Sequence, residues 1–260
     1  MSHLLKSPAV LRPLYRYTAS GQTEAWDEVA LESSVRIYLN GELKAELLCL
    51  PAGLRELAAG HLAVSGYLSR TASIQDIIVS DDRSAVNVIT AGTANRNTDK
   101  SRQQEGRACR IHVEKITALA GQLPVISELF RRTGGVHTGG LADTDGHLHF
   151  IYEDTGRHNV LDKIYGRCLL DHIDPTDKIL LFSGRATARI ITKVAAMGVP
   201  LIIARGAATN MAVELAHRAG ITLVAFARPE RCSVYTHRAR IISPGEAKLA
   251  AINNPLLGNN

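Results

Sequence analysis

The second half of the chain alternates short apolar runs with amphipathic segments, and this alternation limits the fold more than any other feature of the sequence. Short apolar runs bounded by glycine and charged residues fit buried strands, whereas the segments between them have helical spacing. After the strands predicted at 136–142 and 147–152, helices are predicted at 159–171, 187–197 and 209–219 and strands at 178–182, 200–204 and 221–227. This order predicts a parallel sheet covered by helices, and so an α/β fold.

The first half of the chain predicts a smaller α+β unit. Asn40-Gly41 suits a type I′ turn, so strands 35–39 and 42–50 should form a hairpin. A helix is predicted at 53–68, and two further strands are predicted at 74–80 and 85–90. Residues 91–110 carry almost no large apolar side chain, which predicts a mobile loop that ends at Cys109. We therefore expect two domains, residues 1–115 and 116–260.

Composition excludes several classes of protein. A hydrophobic fraction of 45% with 21% charged residues is ordinary for a globular protein, and no apolar run approaches the roughly 20 residues of a membrane helix. The first residues lack the apolar core of a secretory signal, so we expect a cytoplasmic protein. The net charge of +5 favours an anionic ligand. Four cysteines without a CxxC pair argue against a zinc ribbon or a thioredoxin motif.

A polar segment, Glu153–Lys163, directly follows the apolar run 149–152. It reads Glu-Asp-Thr-Gly-Arg-His-Asn-Val-Leu-Asp-Lys, which is dense in groups that can bind or react. Asn159 is a good helix N-cap, but capping explains one of these residues and not the others. We interpret the polar segment as a ligand-binding turn at the start of a helix.

Three predicted strands end in arginine, at Ser183-Gly184-Arg185, Arg205-Gly206 and Arg228. Because ligands of open α/β sheets bind at the carboxyl ends of the strands, these arginines should lie together and bind an anion. The helices that begin near Thr187 and Thr209 would point backbone N–H groups at the same place. A glycine-rich stretch, 133–140, surrounds His137, and its paired glycines allow a ligand to approach the backbone closely. Neither GxGxxG nor a P-loop is present.

Taken together, these motifs resemble the FdhD family of sulfur-carrier accessory proteins for formate dehydrogenases. The matching pieces cover roughly residues 35–242, and the most specific is the polar segment itself. The others are Thr133–Leu141, Ser183-Gly184-Arg185, Lys193, Thr209 with Ala212-Val213-Glu214, Gly220–Arg228, Tyr235-Thr236, Asn40-Gly41, Leu50-Pro51 and Glu56–Leu62.

The resemblance implies a C-terminal cytidine-deaminase-like three-layer α/β domain beside a smaller N-terminal α+β domain. It implies that sulfane sulfur is accepted from a cysteine desulfurase and passed to molybdenum in bis(molybdopterin guanine dinucleotide). The zinc deaminase signature is absent, so no zinc is expected. The residues expected to bind the cofactor are His137, Asp154, Gly156, Arg157, His158, Asn159, Asp162, Lys163, Ser183, Gly184, Arg185, Lys193, Arg205, Thr209, Phe226, Ala227, Arg228, Pro229, Glu230 and Arg231.

The sequence departs from the family pattern at the cysteine loop. The family usually has CGxCG, whereas this chain has only Cys109, with His112 or Gly106 at the other position depending on the alignment. Arg189 and Ala208 also stand where Glu and Pro are common. Arg107 and Arg110 flank Cys109, and cationic neighbours favour the thiolate. We therefore expect Cys109 to carry the sulfur, and to return as a thiol without a second cysteine.

Three other interpretations remain open. The protein could bind or insert the cofactor without carrying sulfur. It could be a nucleotide-binding enzyme of deaminase-like fold that uses His137, His158 and Asp162 as acids and bases. Nucleic-acid binding rests only on the pI of about 9.1. Symmetric dimers are common, so we expect a homodimer. The client formate dehydrogenase is the expected protein partner besides the desulfurase.

Overall fold

The structure, a computed structural model, describes residues 8–69, 73–91 and 109–244. The predicted loop 91–110 lies almost entirely outside these residues. The helices of the described chain are α1 (Leu54–Val64), α2 (Val113–Ile126), α3 (Glu128–Thr133), α4 (Arg157–Leu170), α5 (Ala188–Met197) and α6 (Asn210–Arg218). None of these helices combines the length and the apolar character that a membrane crossing requires.

Strands occur in both halves of the described chain. They are β1 (Ala9–Thr18), β2 (Gly21–Ala30), β3 (Ser33–Leu39), β4 (Glu42–Cys49), β5 (Ile74–Val79), β6 (Ala85–Thr90), β7 (Ile111–His112), β8 (His137–Ala142), β9 (Leu148–Asp154), β10 (Ile179–Phe182), β11 (Leu201–Ala204), β12 (Thr222–Arg228), β13 (Arg231–Val234) and β14 (Ile241–Ile242).

The described chain divides into two compact units, each made of separate stretches of sequence. Unit 1 contains Met1–Asp99, Pro124–Gly139 and Ile151–Ile173, and unit 2 contains Lys100–Leu123, Gly140–Phe150 and Asp174–Asn260. The limits of the units thus fall within β8 and β9. Compact units that share strands in this way need not coincide with folding domains, so the division into domains at residue 115 stays a prediction.

Unit 1 contains a four-stranded mixed sheet in the order β4-β3-β6-β5. Its buried face alternates along the strands, as Val35 and Ile37 on β3 and Val86 and Val88 on β6 show, and helix α1 packs on it. The predicted hairpin is confirmed, since β3 pairs antiparallel with β4 and both turn residues, Asn40-Gly41, have positive φ. A type I′ turn requires that geometry at both positions.

Helices α1 and α4 of unit 1 cross at two glycines. A Cβ on Gly60 would lie 1.8 Å from the carbonyl oxygen of Asp162, and a Cβ on Gly166 would lie 1.8 Å from that of Glu56. Only glycine lets two helix backbones approach this closely. The crossing therefore fixes α4, and with it the polar segment at the N-terminus of α4.

The N-terminal hairpin of β1 and β2 was not predicted from the sequence. Its ten-residue strands pair in continuous register from Ala9–Ala30 to Thr18–Gly21, and they form a two-stranded sheet of their own. The base packs into a small buried cluster of Ala9, Leu50, Leu129 and Val136. Mixed polar and aromatic residues hide the alternation that would mark these strands.

A six-stranded sheet has the order β13-β12-β11-β10-β8-β9. Strands β10, β11 and β12 pair in parallel, as the alternation of strands and helices predicts, and β13 adds an antiparallel edge. All residues of β10 and β11 are buried, which is typical of parallel strands covered on both faces. The prediction of a mixed α/β fold is confirmed, whereas the likeness to cytidine deaminases stays a prediction.

Candidate functional site

The structure joins the three predicted strand ends of unit 2. We call residues 183–187, 205–209 and 226–231 the strand-end loops. Backbone hydrogen bonds connect them: Arg205 N donates to Phe182 O at 2.9 Å, Gly206 N to Gly184 O at 3.1 Å, and Phe226 N to Gly206 O at 3.1 Å. The three loops therefore form one continuous surface at the carboxyl ends of β10, β11 and β12.

Gly206 is at the centre of the strand-end loops. A Cβ there would lie 2.6 Å from both the backbone N of Arg185 and the carbonyl oxygen of Gly184. Gly184 is similarly restricted, because a Cβ would lie 2.7 Å from the ring of Phe182. These two glycines are needed to pack the loops together.

The guanidinium groups of Arg205 and Arg228 are close neighbours. Arg205 Nη1 donates to Ala120 O at 2.7 Å, and Arg228 Nη1 donates to Arg205 O at 2.6 Å and Ala227 O at 2.8 Å. Burial and then repulsion by Arg228 lower the pKa of Arg205. Among the described residues, neither group forms an ion pair with a carboxylate. Two adjacent cations without a counter-ion favour an anionic ligand.

Phe226 has a strained backbone at the edge of this surface. Its φ of 51° is unusual for an aromatic residue, and the pairing of β12 with β13 is irregular between Ala225 and Arg228. The bulge leaves the Phe226 ring exposed, while Ala227 is buried. Strained positions of this kind are concentrated at functional sites. An exposed ring on the same loops as Arg205 and Arg228 suits a ligand with both an aromatic base and phosphates.

The remaining predicted contacts of unit 2 differ in exposure. Thr209 caps α6, since its hydroxyl accepts from Ala212 N at 3.4 Å. Exposed side chains belong to Arg185, Pro229, Glu230 and Arg231, and half-buried ones to Ser183, Lys193 and Thr209.

In unit 1, the side chains of the polar segment mainly contact other protein groups of the same unit. Asp154 and Lys163 are both 0% exposed and form an ion pair of 2.5 Å. Lys163 Nζ also donates to Leu50 O at 3.3 Å and Glu153 O at 3.1 Å, so all three of its protons have acceptors. Asp154 accepts further hydrogen bonds from Leu50 N and Gly156 N, at 3.3 and 2.7 Å. The pair therefore joins the end of β9 and the middle of α4 to Leu50, the residue that follows β4.

The prediction that Asn159 caps a helix is wrong. Helix α4 begins at Arg157 with Gly156 as its N-cap, and Asn159 lies inside the first turn. The Asn159 amide instead donates to Leu48 O at 2.8 Å and to Asp154 Oδ1 at 2.9 Å. A Cβ on Gly156 would lie 2.5 Å from that amide, so the glycine is required by this packing.

Two more acidic residues of the polar segment have protein partners. Glu153 accepts from Ser127 Oγ at 2.5 Å and from Phe130 N at 3.2 Å, which holds the N-terminus of α3. Asp162 is buried and contacts His61 Nδ1 at 3.2 Å across the crossing of α1 and α4. The sequence did not assign His61 or Ser127 to the site, although His61 lies in the matching piece Glu56–Leu62; Ser127 stands in no motif that signals its contact.

A few groups of unit 1 remain suited to a ligand. Arg157 is exposed, and His158 and His137 are half-buried. Burial, and then the positive charge of Arg157, lower the pKa of His137, so its neutral form is favoured. Thr155 Oγ1 is buried without a hydrogen-bond partner among the described residues. His137, Arg157 and His158 belong to the contacts predicted from the sequence, whereas Thr155 does not.

Cys109 lies in unit 2, just before β7, and only 2% of it is exposed. Burial raises the pKa of its thiol, whereas Arg240 and Lys178 lower it and Asp177 raises it. The sequence predicted thiolate stabilisation by Arg107 and Arg110; Arg107 lies outside the described residues. Arg240 comes close because β14 pairs in parallel with β7, with Ile241 opposite Ile111. A pairing of two-residue strands leaves no signal in the sequence.

The other cysteines are poorly placed for reaction. Cys49 and Cys168 are buried, as predicted, and burial together with Asp154 raises the pKa of Cys49 to about 12. Cys232 is half-buried, and burial raises its pKa as well.

Comparison with known proteins identifies the family. The FdhD/NarQ family matches residues 30–110 and 89–242. A sulfur carrier protein FdhD from Bacillus pumilus strain SAFR-032 is 34% identical over 88% of this chain and 96% of its own length. One from Geobacillus kaustophilus strain HTA426 is 35% identical, over 89% and 96%. A crystal structure assigned as a formate dehydrogenase accessory protein, from Desulfotalea psychrophila, is 28% identical with a TM-score of 0.79, over 90% and 99%. The chain belongs to the FdhD/NarQ family.

Proposed function

We propose that this protein is a sulfur carrier that supplies the molybdenum cofactor of a formate dehydrogenase. In this proposal, Cys109 accepts sulfane sulfur from a cysteine desulfurase and transfers it to bis(molybdopterin guanine dinucleotide), which is the substrate of the transfer. Family membership supports the general role. The observation that carries the proposal in this chain is the setting of Cys109: burial raises the pKa of its thiol, and the nearby cations Arg240 and Lys178 partly offset that effect.

The first step is thiol–persulfide exchange. The Cys109 thiolate attacks the outer sulfur of the desulfurase persulfide, the bond between the two desulfurase sulfurs breaks, and the desulfurase cysteine leaves as a thiolate. Cys109 then holds the outer sulfur in a new S–S bond, and no net oxidation or reduction occurs. Arg240 and Lys178 support this step because the thiolate is the nucleophile.

The second step releases the outer sulfur. When the S–S bond of the Cys109 persulfide breaks, Cys109 keeps the bonding electrons and returns as a thiolate. The transferred atom is neutral sulfur, so the acceptor must supply two electrons if it is to hold it as sulfide. In this chain Cys109 is the only cysteine of the loop region, so no neighbouring thiol supplies those electrons by forming a disulfide. Both steps require Cys109 Sγ, buried in the structure, to become exposed.

The cofactor phosphates fit the chemistry of the strand-end loops. We assign Arg205 and Arg228 to a diphosphate, because they are adjacent cations without carboxylate partners among the described residues. Phe226 offers an exposed ring for a guanine base. In unit 1, Arg157, His158 and His137 remain proposed contacts. We assign Asp154, Asn159, Asp162 and Lys163 to holding the polar segment in place, since all four are buried.

Intact mass after incubation with a cysteine desulfurase and cysteine tests the carrier role. Wild type should gain one sulfur atom, which a reductant removes. Cys109→Ser should gain none, and Cys232→Ser, which changes another described cysteine that is not fully buried, should behave as wild type. Equal gain by Cys109→Ser and wild type would place the sulfur elsewhere and overturn the assignment.

A second candidate is cofactor binding and insertion without sulfur carriage. The burial of Cys109 and its raised pKa favour this candidate, because a buried thiol is a poor nucleophile. The two functions separate in one assay. If Cys109→Ser still activates formate dehydrogenase and still retains the cofactor, the function is cofactor binding. If Cys109→Ser retains the cofactor but does not activate the enzyme, the function is sulfur carriage.

A further inference from the structure

We propose that four arginines of unit 2 form a docking surface for the protein that donates sulfur to Cys109, and that this donor turns an acidic surface toward them. Because the sulfur-carrier role proposed above is the basis of this assignment, the donor is the desulfurase of that role. The arginines, which we call the basic face, are Arg110, Arg218, Arg238 and Arg240. All are exposed except Arg240, which is half-buried.

Two arginines of the basic face lie beside Cys109. Arg110 directly precedes β7 and Arg240 directly precedes β14, and these strands pair in parallel with Ile241 opposite Ile111. Burial raises the pKa of the Cys109 thiol, and Arg240 is close enough to oppose that effect. The Cα of Cys109 stays within about 7 Å of that of Ile111, two residues later, whichever way the thiol turns. A donor that reaches Cys109 must therefore approach both arginines.

The end of α6 extends the basic face to the other two arginines. The rings of His217 and His237 stack with their centroids 5.2 Å apart, and His237 Nε2 donates to His217 O at 2.9 Å. Arg218 directly follows His217 and Arg238 directly follows His237, so both arginines lie at this contact. Arg240 Nη1 donates at 2.8 Å to the carbonyl oxygen of the glycine two residues after Arg218. The same surface therefore continues to Cys109.

The charges of the basic face are not balanced within the described chain. Its four arginines form no ion pair with a carboxylate of the described residues. Asp177, which also acts on the thiol, pairs with Lys178 at 2.6 Å, so these two residues add no net charge. Exposed cations attract a surface of opposite charge and raise the rate at which it arrives. The donor should therefore carry carboxylates around its persulfide.

The basic face differs from the strand-end loops in position and in exposure. Lys178 acts on Cys109 and directly precedes β10, so the thiol lies toward the amino end of that strand, whereas the strand-end loops follow the carboxyl ends. Arg205 and Arg228 are half-buried neighbours, as suits a small anion. The basic face is mostly exposed and comes from three separate segments, as suits the polar rim of a protein–protein contact.

Binding of the cysteine desulfurase used in the intact-mass test, measured by isothermal titration calorimetry at about 50 mM salt, tests the docking surface. Arg218→Glu/Arg238→Glu should bind the desulfurase at least about 10-fold more weakly than wild type, because it sets like charges against an acidic surface. The difference should shrink at about 500 mM salt, since salt screens exposed charges. Arg110 and Arg240 are left unchanged because they adjoin the reacting thiol.

The matched control is Arg131→Glu/Arg189→Glu, which reverses two exposed helix arginines and changes the net charge of the chain by the same amount. The control should bind the desulfurase as wild type does. By intact mass, both double variants should gain one sulfur from cysteine persulfide at a rate within about two-fold of wild type, because a small donor does not need the docking surface. Far-UV circular dichroism checks that the variants are folded, and Arg238→Gln, a milder change, should weaken binding about three-fold.

The docking surface is overturned if wild type does not bind the desulfurase, if the folded Arg218→Glu/Arg238→Glu variant binds as wild type does, or if the control loses as much. It is also overturned if wild type binds a single-stranded DNA of about 20 nucleotides more tightly than the desulfurase and the variant loses that binding, because the arginines would then serve a nucleic acid. Failure of the carrier role looks different. In that case wild type gains no sulfur from either donor, while desulfurase binding still depends on the basic face.

Discussion

The polar segment of unit 1 and the strand-end loops of unit 2 both place charged residues directly after a strand, but the structure uses those charges differently. In the polar segment, Asp154 and Lys163 are fully buried and bind each other and nearby backbone groups. In the strand-end loops, Arg205 and Arg228 donate to carbonyl oxygens of described residues and repel each other. The charges of the first arrangement are paired within the protein, whereas the second arrangement is the proposed anion site.

The difference shows that a dense run of polar residues does not by itself indicate a ligand. A buried charge must be paired within the protein, so burial turns a reactive-looking segment into a structural network. Arg205 and Arg228, at the carboxyl ends of parallel strands, have no carboxylate partner among the described residues. We expect substitutions in the polar segment to lower stability, and substitutions in the strand-end loops to lower ligand affinity.

Gly60→Ala should have the largest effect on the unit 1 side of this comparison. The new methyl group would lie 1.8 Å from the carbonyl oxygen of Asp162, so α1 and α4 must separate. We expect a loss of about 4 kcal/mol or more in the free energy of unfolding, measured by urea denaturation. Gly121→Ala is the control, because its Cβ would approach only the Pro229 side chain, at 3.3 Å. If Gly60→Ala unfolds at the wild-type urea concentration, the close crossing is not what holds the polar segment.

Lys163→Met should lower the free energy of unfolding by about 3–5 kcal/mol, because Asp154 is left as an uncompensated buried charge. Asp154→Asn in the same chain should recover part of that loss, since it removes the unpaired charge and keeps an acceptor for Gly156 N. A double-mutant cycle measures the coupling between the two residues. Simple additivity of the two losses would contradict the ion pair described here.

Sequence predicted the parallel strands, the Asn40-Gly41 hairpin and the joined ends of β10, β11 and β12, because each depends on local spacing or on a general rule of α/β sheets. It could not separate ligand groups from structural ones in the polar segment. The partners of Asp154 and Lys163 include Leu50, about a hundred residues earlier in the chain, and nothing local marks that contact.

The surroundings of Cys109 show the same limit. The sequence offered Arg107 and Arg110 as neighbouring cations, whereas the structure brings Arg240 and Lys178 to the thiol. These contacts depend on how β7 and β14 pair, and strands of two residues have no detectable period. The β1–β2 hairpin was missed for a related reason, because its mixed faces follow no simple apolar pattern.

On the unit 2 side, Arg205→Gln and Arg228→Gln should each weaken binding of guanosine diphosphate, used as the probe, by about 10- to 100-fold. The urea midpoint should change much less than it does for Lys163→Met, because no buried carboxylate of the described chain loses a partner. Isothermal titration calorimetry at fixed ionic strength measures the affinity, and Arg218→Gln, an exposed arginine of α6, is the control. If both variants bind guanosine diphosphate as tightly as wild type does, the strand-end loops are not a ligand site, and they no longer differ in role from the polar segment.

Cys49 tests how completely the network of unit 1 is shielded from solvent. Its pKa is about 12 in the folded protein against an ordinary 9.0, so the buried thiol stabilises the fold below pH 9 and loses that effect as the pH rises toward 12. From pH 8 to pH 10, wild type should therefore lose about 1 kcal/mol more stability than Cys49→Ala. Urea denaturation at the two pH values measures this difference. The loss of packing in Cys49→Ala is the same at both pH values, so it does not contribute to the difference. Parallel losses would show that the thiol is less shielded than the structure indicates.

The smallest expected effect concerns the thiol of unit 2, where single charges act on Cys109 through partly screened fields. Asp177→Asn removes a carboxylate that raises the pKa of Cys109, and Arg240→Gln removes a cation that lowers it. Alkylation by iodoacetamide at pH 8, followed by intact mass in a Cys232→Ser background, should be about two- to five-fold faster in the first variant and slower in the second. The pH at half-maximal rate should move down and up accordingly. A change in rate without a shift of that pH would mean that the substitutions alter access to the buried thiol and leave its ionisation unchanged.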